Sequence, residues 1–174
     1  MDVAILSGDS IRIKGKNAAI VVNPTSVTGK IEANAILALN KTLQINDSKI
    51  EGSRITIKGP GEYEVGGIKI SAIPVGENLV VRIIIDSINV LTGSGEAIEK
   101  IQEKLEGSDI VVVNADTKFN YSGLATLEPK VLLAYGELKD EVGKSIGKET
   151  NEKVNKFSTT ADKLPSEMQY VVLG

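Results

Sequence analysis

The chain has 174 residues, of which 41% are hydrophobic and 25% are charged, a balance that fits one globular domain and excludes a disordered or fibrous chain. Its net charge of −3 and its 3% of aromatic residues argue against a nucleic-acid partner, which favours a clustered basic face and stacking platforms. There is no cysteine for a disulfide and no apolar run of membrane-spanning length, and from the first residues we expect no signal peptide. We therefore expect a cytoplasmic protein with no membrane partner, folded as a single domain over residues 1–174.

Short β-branched runs, separated by Gly, Asn, Asp and Ser, recur along the chain and predict many strands. Between two of these runs, Asp86 and Ser87 are typical of a tight hairpin turn. Three runs are continuously apolar, as expected for strands covered on both faces: Ala18–Asn23, Ala35–Leu39 and Ile110–Asn114. The other predicted strands are Ser10–Lys14, Arg54–Lys58, Glu62–Val65, Lys69–Pro74, Leu79–Asp86, Ile88–Leu91, Val131–Ala134, Val154–Ser158 and Met168–Leu173.

Helices are fewer than strands. Apolar residues at helical spacing predict a helix over Gly95–Leu105, with Ser94 as its N-cap and Gly107 as its stop. A second helix is predicted over Leu138–Ile146, and a short helical turn over Ser122–Leu127.

The order of these elements predicts the fold class. A long run of strands is followed by alternating strands and helices and by a final strand, which favours an α+β protein with two mixed sheets and few helices outside. The tail Lys156–Lys163 is polar, and we expect it to fray.

A glycine-rich segment, Gly59–Ile70 (GPGEYEVGGIKI), is the most distinctive in the chain. It resembles a block found in one branch of the metallo-β-lactamase-fold hydrolases, and four further segments occur in the same order as in that branch. They are the opening hairpin Ile11–Lys16 with Ile20–Pro24, the strand Leu127–Leu133, the segment Asp162–Pro165 and the closing Val171–Leu173. The resemblance spans nearly the whole chain and implies a four-layer αββα sandwich.

The resemblance also implies where a catalytic metal site would lie. These hydrolases activate water with metal ions bound by imidazoles and a bridging carboxylate. This sequence departs from that pattern at every ligand position we can place, and it contains no histidine at all. The residues at the positions of the lost metal ligands are Asn40, Thr42, Gln44, Ile45, Ser94 and Gly136. We therefore predict no metal, no cofactor and a degenerate member of the family.

Acidic residues in neighbouring loops offer an alternative site. Asp9, Asp116 and Glu137, together with Ser94, border the place where the metal site would be, although their spacing matches no known ion-binding loop. They are either solvated loop acids or part of a rebuilt site. Ser94, within Thr92–Gly95, is either a helix cap or part of an anion-binding turn.

The function predicted from these residues is non-catalytic: a metallo-β-lactamase-fold protein that has lost its metal site and acts through binding or assembly. The alternative is a hydrolase or small-ligand binder with a rebuilt site in the same cleft. No sequence feature identifies a partner, and the resemblance allows a homo-oligomer. We call the six residues at the positions of the lost metal ligands the replacement residues. We further predict that they lie together, linked by hydrogen bonds or apolar contacts.

Overall fold

The computed structural model describes residues 1–148 and 153–174. Within them, β-structure dominates, and the helices are short: α1 covers Gly95–Ile101 and α2 covers Lys139–Ser145. Short 3-10 helices cover Gln102–Lys104, Tyr121–Leu127 and Ala161–Lys163. The strands are β1 (Asp2–Ser7), β2 (Ser10–Lys14), β3 (Ala19–Val22), β4 (Ile31–Glu32), β5 (Ala35–Leu37), β6 (Ile50–Glu51), β7 (Ile55–Ile57), β8 (Gly61–Val65), β9 (Ile68–Val75), β10 (Asn78–Ile85), β11 (Ile88–Ser94), β12 (Ile110–Asn114), β13 (Val131–Tyr135), β14 (Lys153–Val154), β15 (Lys156–Ser158) and β16 (Gln169–Leu173).

Two large sheets and one small ribbon contain these strands. The first sheet has six strands in the order β15-β1-β2-β3-β5-β7, and the second has eight in the order β14-β16-β13-β12-β11-β10-β9-β8. Each sheet combines parallel and antiparallel pairs, so both are mixed, as the sequence predicted. Strands β4 and β6 pair only with each other and form a separate two-stranded ribbon.

The main core lies between the two large sheets. Period-two alternation turns one side of each strand inward, and inward residues from both sheets form one continuous buried cluster. Ile11 and Ile13 on β2 contribute from the first sheet, and Ile83 on β10 and Val112 on β12 contribute from the second; all four are fully buried. Their burial removes apolar surface from water at about 25 cal/mol per Å² and is the main stabilising term of the fold.

The described helices cover one sheet. A second buried cluster joins the outer face of the eight-stranded sheet to residues of α1, α2 and the 3-10 helix Tyr121–Leu127. On the outer face of the six-stranded sheet, Ala19 and Val21 pack instead against residues of the β4–β6 ribbon. The helix predictions are confirmed in place, with Leu105 lying just past the helical residues of its segment.

The Asp86–Ser87 turn is confirmed. Strands β10 and β11 pair antiparallel up to Ile85 and Ile88, and both turn residues have positive φ, 51° and 65°. Two left-handed residues in succession are typical of the type I′ turn, whose twist matches that of a hairpin.

The sequence predictions need correction at the edge of the first sheet formed by β15 and β1. The first strand, β1, was not predicted, because its half-buried residues do not alternate clearly in hydrophobicity. The predicted strand Val154–Ser158 is divided between the two sheets, with Val154 in β14 and Lys156–Ser158 in β15. Because β15 pairs with β1 and Phe157 packs against the main core, this part of the tail does not fray. One apolar side chain and a backbone ladder are enough to order a segment whose composition is polar.

No helix in the described ranges is long and apolar enough to cross a membrane.

Candidate functional site

The carboxyl ends of the parallel strands β11, β12 and β13 meet at one edge of the eight-stranded sheet. Ser94 pairs with Asn114, and Asn114 pairs with Tyr135, so the three residues form a row across the sheet. The loops that follow these strands begin at this edge. Open α/β sheets commonly bind ligands at such an edge, which makes it the place to look for a site.

Asn40, which follows β5 of the six-stranded sheet, connects that sheet to this edge of the eight-stranded sheet. Its amide nitrogen donates to the side-chain oxygen of Asn78 at 2.8 Å, and the two residues also form a backbone bridge. Its side-chain oxygen accepts from the backbone nitrogen and the hydroxyl of Thr42, at 2.8 and 2.7 Å. Two of the replacement positions are therefore linked directly, and both polar groups of the Asn40 amide have partners.

Gln44 and Ile45 lie farther along the same loop. The Gln44 side chain is exposed and makes no hydrogen bond with any described residue, whereas Ile45 is half-buried. The loop is held at its base by a backbone hydrogen bond from Asn46 to Pro24, at 2.7 Å. The structure thus does not bring Gln44 into the hydrogen-bonded pair of Asn40 and Thr42.

Ser94 serves as a helix cap. Its side chain accepts a hydrogen bond from the backbone nitrogen of Ala97 at 3.3 Å, and its extended backbone is typical of an N-cap. The ring of Phe119 occupies the space beside Gly95 that any Cβ there would need. The N-terminus of α1 is therefore capped by Ser94 and covered by Phe119.

Replacing Ser94 with alanine should lower the free energy of unfolding by about 1 kcal/mol, because one helix N–H loses its side-chain acceptor. Gln44→Ala is the matched control, since it also removes a neutral polar group but from an exposed side chain, and we expect a change within about 0.5 kcal/mol. Urea denaturation of both variants measures the difference. Equal losses would contradict the assignment of Ser94 as a cap.

Gly136 occupies a position that excludes a side chain. Its φ of +101° is in the region that favours glycine. A Cβ would lie 2.5 Å from Oδ1 of Asp116 and 3.0 Å from the backbone carbon of Ala115. Asp116 is itself fixed, because Oδ1 accepts from the backbone nitrogen of Glu137 at 3.0 Å and Oδ2 accepts from the amide of Asn114 at 2.9 Å.

The structure brings together all three acidic residues that the sequence singled out. Asp9, Asp116, Gly136 and Glu137 line one open cavity of about 680 Å³, which Lys139 and apolar residues complete. Ser94 does not line this cavity. The Asp9 carboxylate accepts a hydrogen bond from the Thr25 hydroxyl at 3.1 Å. Asp9 and Asp116 thus already have protein partners, and both signs of charge face the cavity.

Tyr135 is a feature of this edge that the sequence analysis missed. The residue is fully buried, and its hydroxyl has no hydrogen-bond partner among the described residues. Burial raises the pKa of this hydroxyl, and the charges of Asp9 and Asp116 raise it further, so it stays protonated. The Asn114 side chain opposes this rise, although it lies outside hydrogen-bond geometry. No local sequence signal marked this hydroxyl, because Asn114 reaches Tyr135 only through the pairing of β12 with β13.

Tyr135→Phe should leave the free energy of unfolding unchanged or raise it by about 1 kcal/mol, because it removes a buried polar group that has no partner. The matched control is Tyr170→Phe. The Tyr170 hydroxyl donates to the backbone oxygen of Lys139, so we expect this change to lower stability by about 1 kcal/mol. A larger loss for Tyr135→Phe than for the control, measured by thermal unfolding, would mean that the Tyr135 hydroxyl has a partner.

The residues at this edge do not fit a zinc or iron ion. Such ions take imidazole, thiolate and carboxylate ligands, and the chain has neither histidine nor cysteine. The oxygen of Asn40 is occupied by Thr42, and that of Ser94 by the first turn of α1. Within residues 1–148 and 153–174, no group of three or more Asp or Glu side chains is arranged to hold a metal ion.

Comparison with solved structures identifies the fold. A structure from Thermotoga maritima, assigned as a Zn-dependent hydrolase of the metallo-β-lactamase superfamily, matches with a TM-score of 0.75 and 18% identity over 99% of this chain and 98% of that chain. One assigned as a metal-dependent hydrolase from Parabacteroides distasonis matches with a TM-score of 0.57 and 17% identity over 82% and 85%. No family model and no curated protein matches the chain. At this identity the likeness establishes the metallo-β-lactamase fold.

Proposed function

We propose that this chain is a cytoplasmic, degenerate member of the metallo-β-lactamase superfamily that acts by binding or assembly and not by metal-dependent hydrolysis. In this proposal the αββα sandwich is retained in a reduced form. Helices cover the eight-stranded sheet, and the β4–β6 ribbon stands over the six-stranded sheet where the four-layer form has helices.

One observation carries the proposal: four of the six positions that the family resemblance singled out, Asn40, Thr42, Ser94 and Gly136, have structural roles in this fold. Asn40 holds Asn78 and Thr42, Ser94 caps α1, and Gly136 leaves room for the fixed carboxylate of Asp116. An aspartate and several imidazoles crowded at this edge without an ion would be costly to desolvate. Neutral residues at these positions avoid this cost, so in this proposal the fold does not depend on an ion.

A second candidate is a small-ligand binder that uses the same edge. The cavity beside Asp116 and Glu137 has a volume of about 680 Å³, within the range of small-molecule sites. Its charged groups of both signs favour a polar ligand over an apolar one. This candidate shares with the first the absence of a metal-activated water.

Addition of a strong chelator should leave the melting temperature unchanged, because no ion contributes to folding. The protein should also give no turnover of esters, phosphodiesters or β-lactams above buffer when zinc or manganese is supplied. Protein refolded with and without the metals is the matched control. A drop of several degrees on chelation, or metal-dependent turnover, would refute the proposal.

Small-ligand binding is separated from assembly by a thermal-shift screen of polar metabolites on the wild type and on Glu137→Gln. A ligand that stabilises the wild type, and stabilises Glu137→Gln less, would favour the cavity. Assembly would instead appear in analytical ultracentrifugation as a molar mass that rises with protein concentration. Glu137→Gln should not change this behaviour.

A further inference from the structure

A groove on the outer face of the six-stranded sheet is separate from the cavity described above. It has a volume of about 380 Å³ and lies between β2 and the β4–β6 ribbon. Arg12, Lys14 and Lys16 line one side of it, and Glu32 and Glu51 line the other. The groove and the Asp116 cavity share no lining residue.

Arg12 is the unusual residue in this groove. The alternation of β2 turns Ile11 and Ile13 into the core, so Arg12 stands on the outer face, flanked by Ala4 and Val21 on the neighbouring strands. Its Nε is buried and has no hydrogen-bond partner among the described residues. Buried polar groups in native proteins are nearly always paired, so this Nε is an exception that a bound ligand would explain.

Among the described residues, the acids across the groove form no ion pair with Arg12, Lys14 or Lys16. Glu51 forms an ion pair with Lys30 at 2.6 Å. Within the described ranges, neither Arg12 nor Glu32 forms an ion pair. Three cationic side chains therefore face a concave space in which one of the two acids is already paired, and the groove attracts anions.

We infer that this groove binds a small ligand that carries a phosphate group. The planar guanidinium of Arg12 suits bidentate recognition of phosphate oxygens, and Lys14 and Lys16 supply charge for a doubly negative group. The inference goes beyond the proposed function, because it concerns a different face of the sandwich.

Calorimetric titration with inorganic phosphate and with glycerol phosphate, at constant ionic strength, tests the inference and distinguishes free phosphate from a phosphate monoester. We expect binding by the wild type and an affinity at least about tenfold lower for Arg12→Gln, the usual scale for a charged hydrogen bond. Arg12→Lys keeps the charge without the planar fork and should give an intermediate affinity. The matched control is Lys69→Gln, an exposed lysine on the other sheet, which should bind like the wild type.

Folding of the variants is followed by their melting temperatures without ligand. Arg12→Gln should melt no lower than the wild type, because it removes an unpaired charge. Lys14→Gln, at an exposed position, provides a second variant with weakened binding and wild-type stability. The inference is overturned if the wild type binds neither compound, if Arg12→Gln and Lys14→Gln bind as tightly as the wild type, or if Arg12→Gln melts several degrees lower.

Discussion

Replacing Ile83 with alanine should lower the free energy of unfolding by about 3 to 4 kcal/mol, measured by urea denaturation. Ile83 is fully buried on the inward face of β10, where it pairs with Ile70 and Val90 on the adjacent strands. All three belong to the main core between the sheets. The shortened side chain would leave a cavity that two packed sheets cannot easily close.

The control is the next residue on the same strand. Ile84 points to the opposite face and is 41% exposed, so Ile84→Ala should change stability by less than about 0.5 kcal/mol. Both substitutions remove the same atoms from the same strand, and only the face differs. Similar losses for the two variants would mean that Ile83 and Ile84 do not differ in burial as the structure shows.

Gly136→Ala should lower the free energy of unfolding by about 2 to 4 kcal/mol. A non-glycine residue at a φ of +101° is strained by about 1 to 3 kcal/mol. The new Cβ would also displace the Asp116 carboxylate, which accepts hydrogen bonds from Glu137 and Asn114. Thermal unfolding monitored by circular dichroism measures the combined loss.

Gly76→Ala separates these two causes. Gly76 has a φ of +62°, in the turn between β9 and β10, and no described atom lies within 4 Å of its Cβ position. This variant has the backbone strain without the clash, and we expect a loss of about 1 kcal/mol. If Gly136→Ala is no worse than Gly76→Ala, then the Asp116 carboxylate does not restrict the space beside Gly136.

Much of the fold follows from local patterns. The runs that became β10, β11 and β12 alternate or are continuously apolar, and the Asp86–Ser87 turn between the first two has its own residue preferences. In contrast, the β4–β6 ribbon has two residues per strand, too few for any periodicity to show. Such short strands form because the rest of the fold brings them together.

The candidate site was predictable in part. The family resemblance drew attention to Asn40 and Thr42, and their pairing follows from their two-residue spacing. The partner Asn78 could not be found in this way, because it lies 38 residues away and meets Asn40 only in the folded chain. The same holds for Tyr135 and Arg12, whose unpaired polar groups depend on what surrounds them in three dimensions.

Titration of zinc into the purified wild-type chain, followed by calorimetry with elemental analysis of the dialysed protein, tests the central claim most directly. The account predicts no saturable heat and no stoichiometric zinc, because the chain has no imidazole or thiolate and Asn40 and Ser94 are committed to the fold. One tightly bound zinc ion per chain after dialysis would contradict it and would place this protein among the metal-dependent hydrolases.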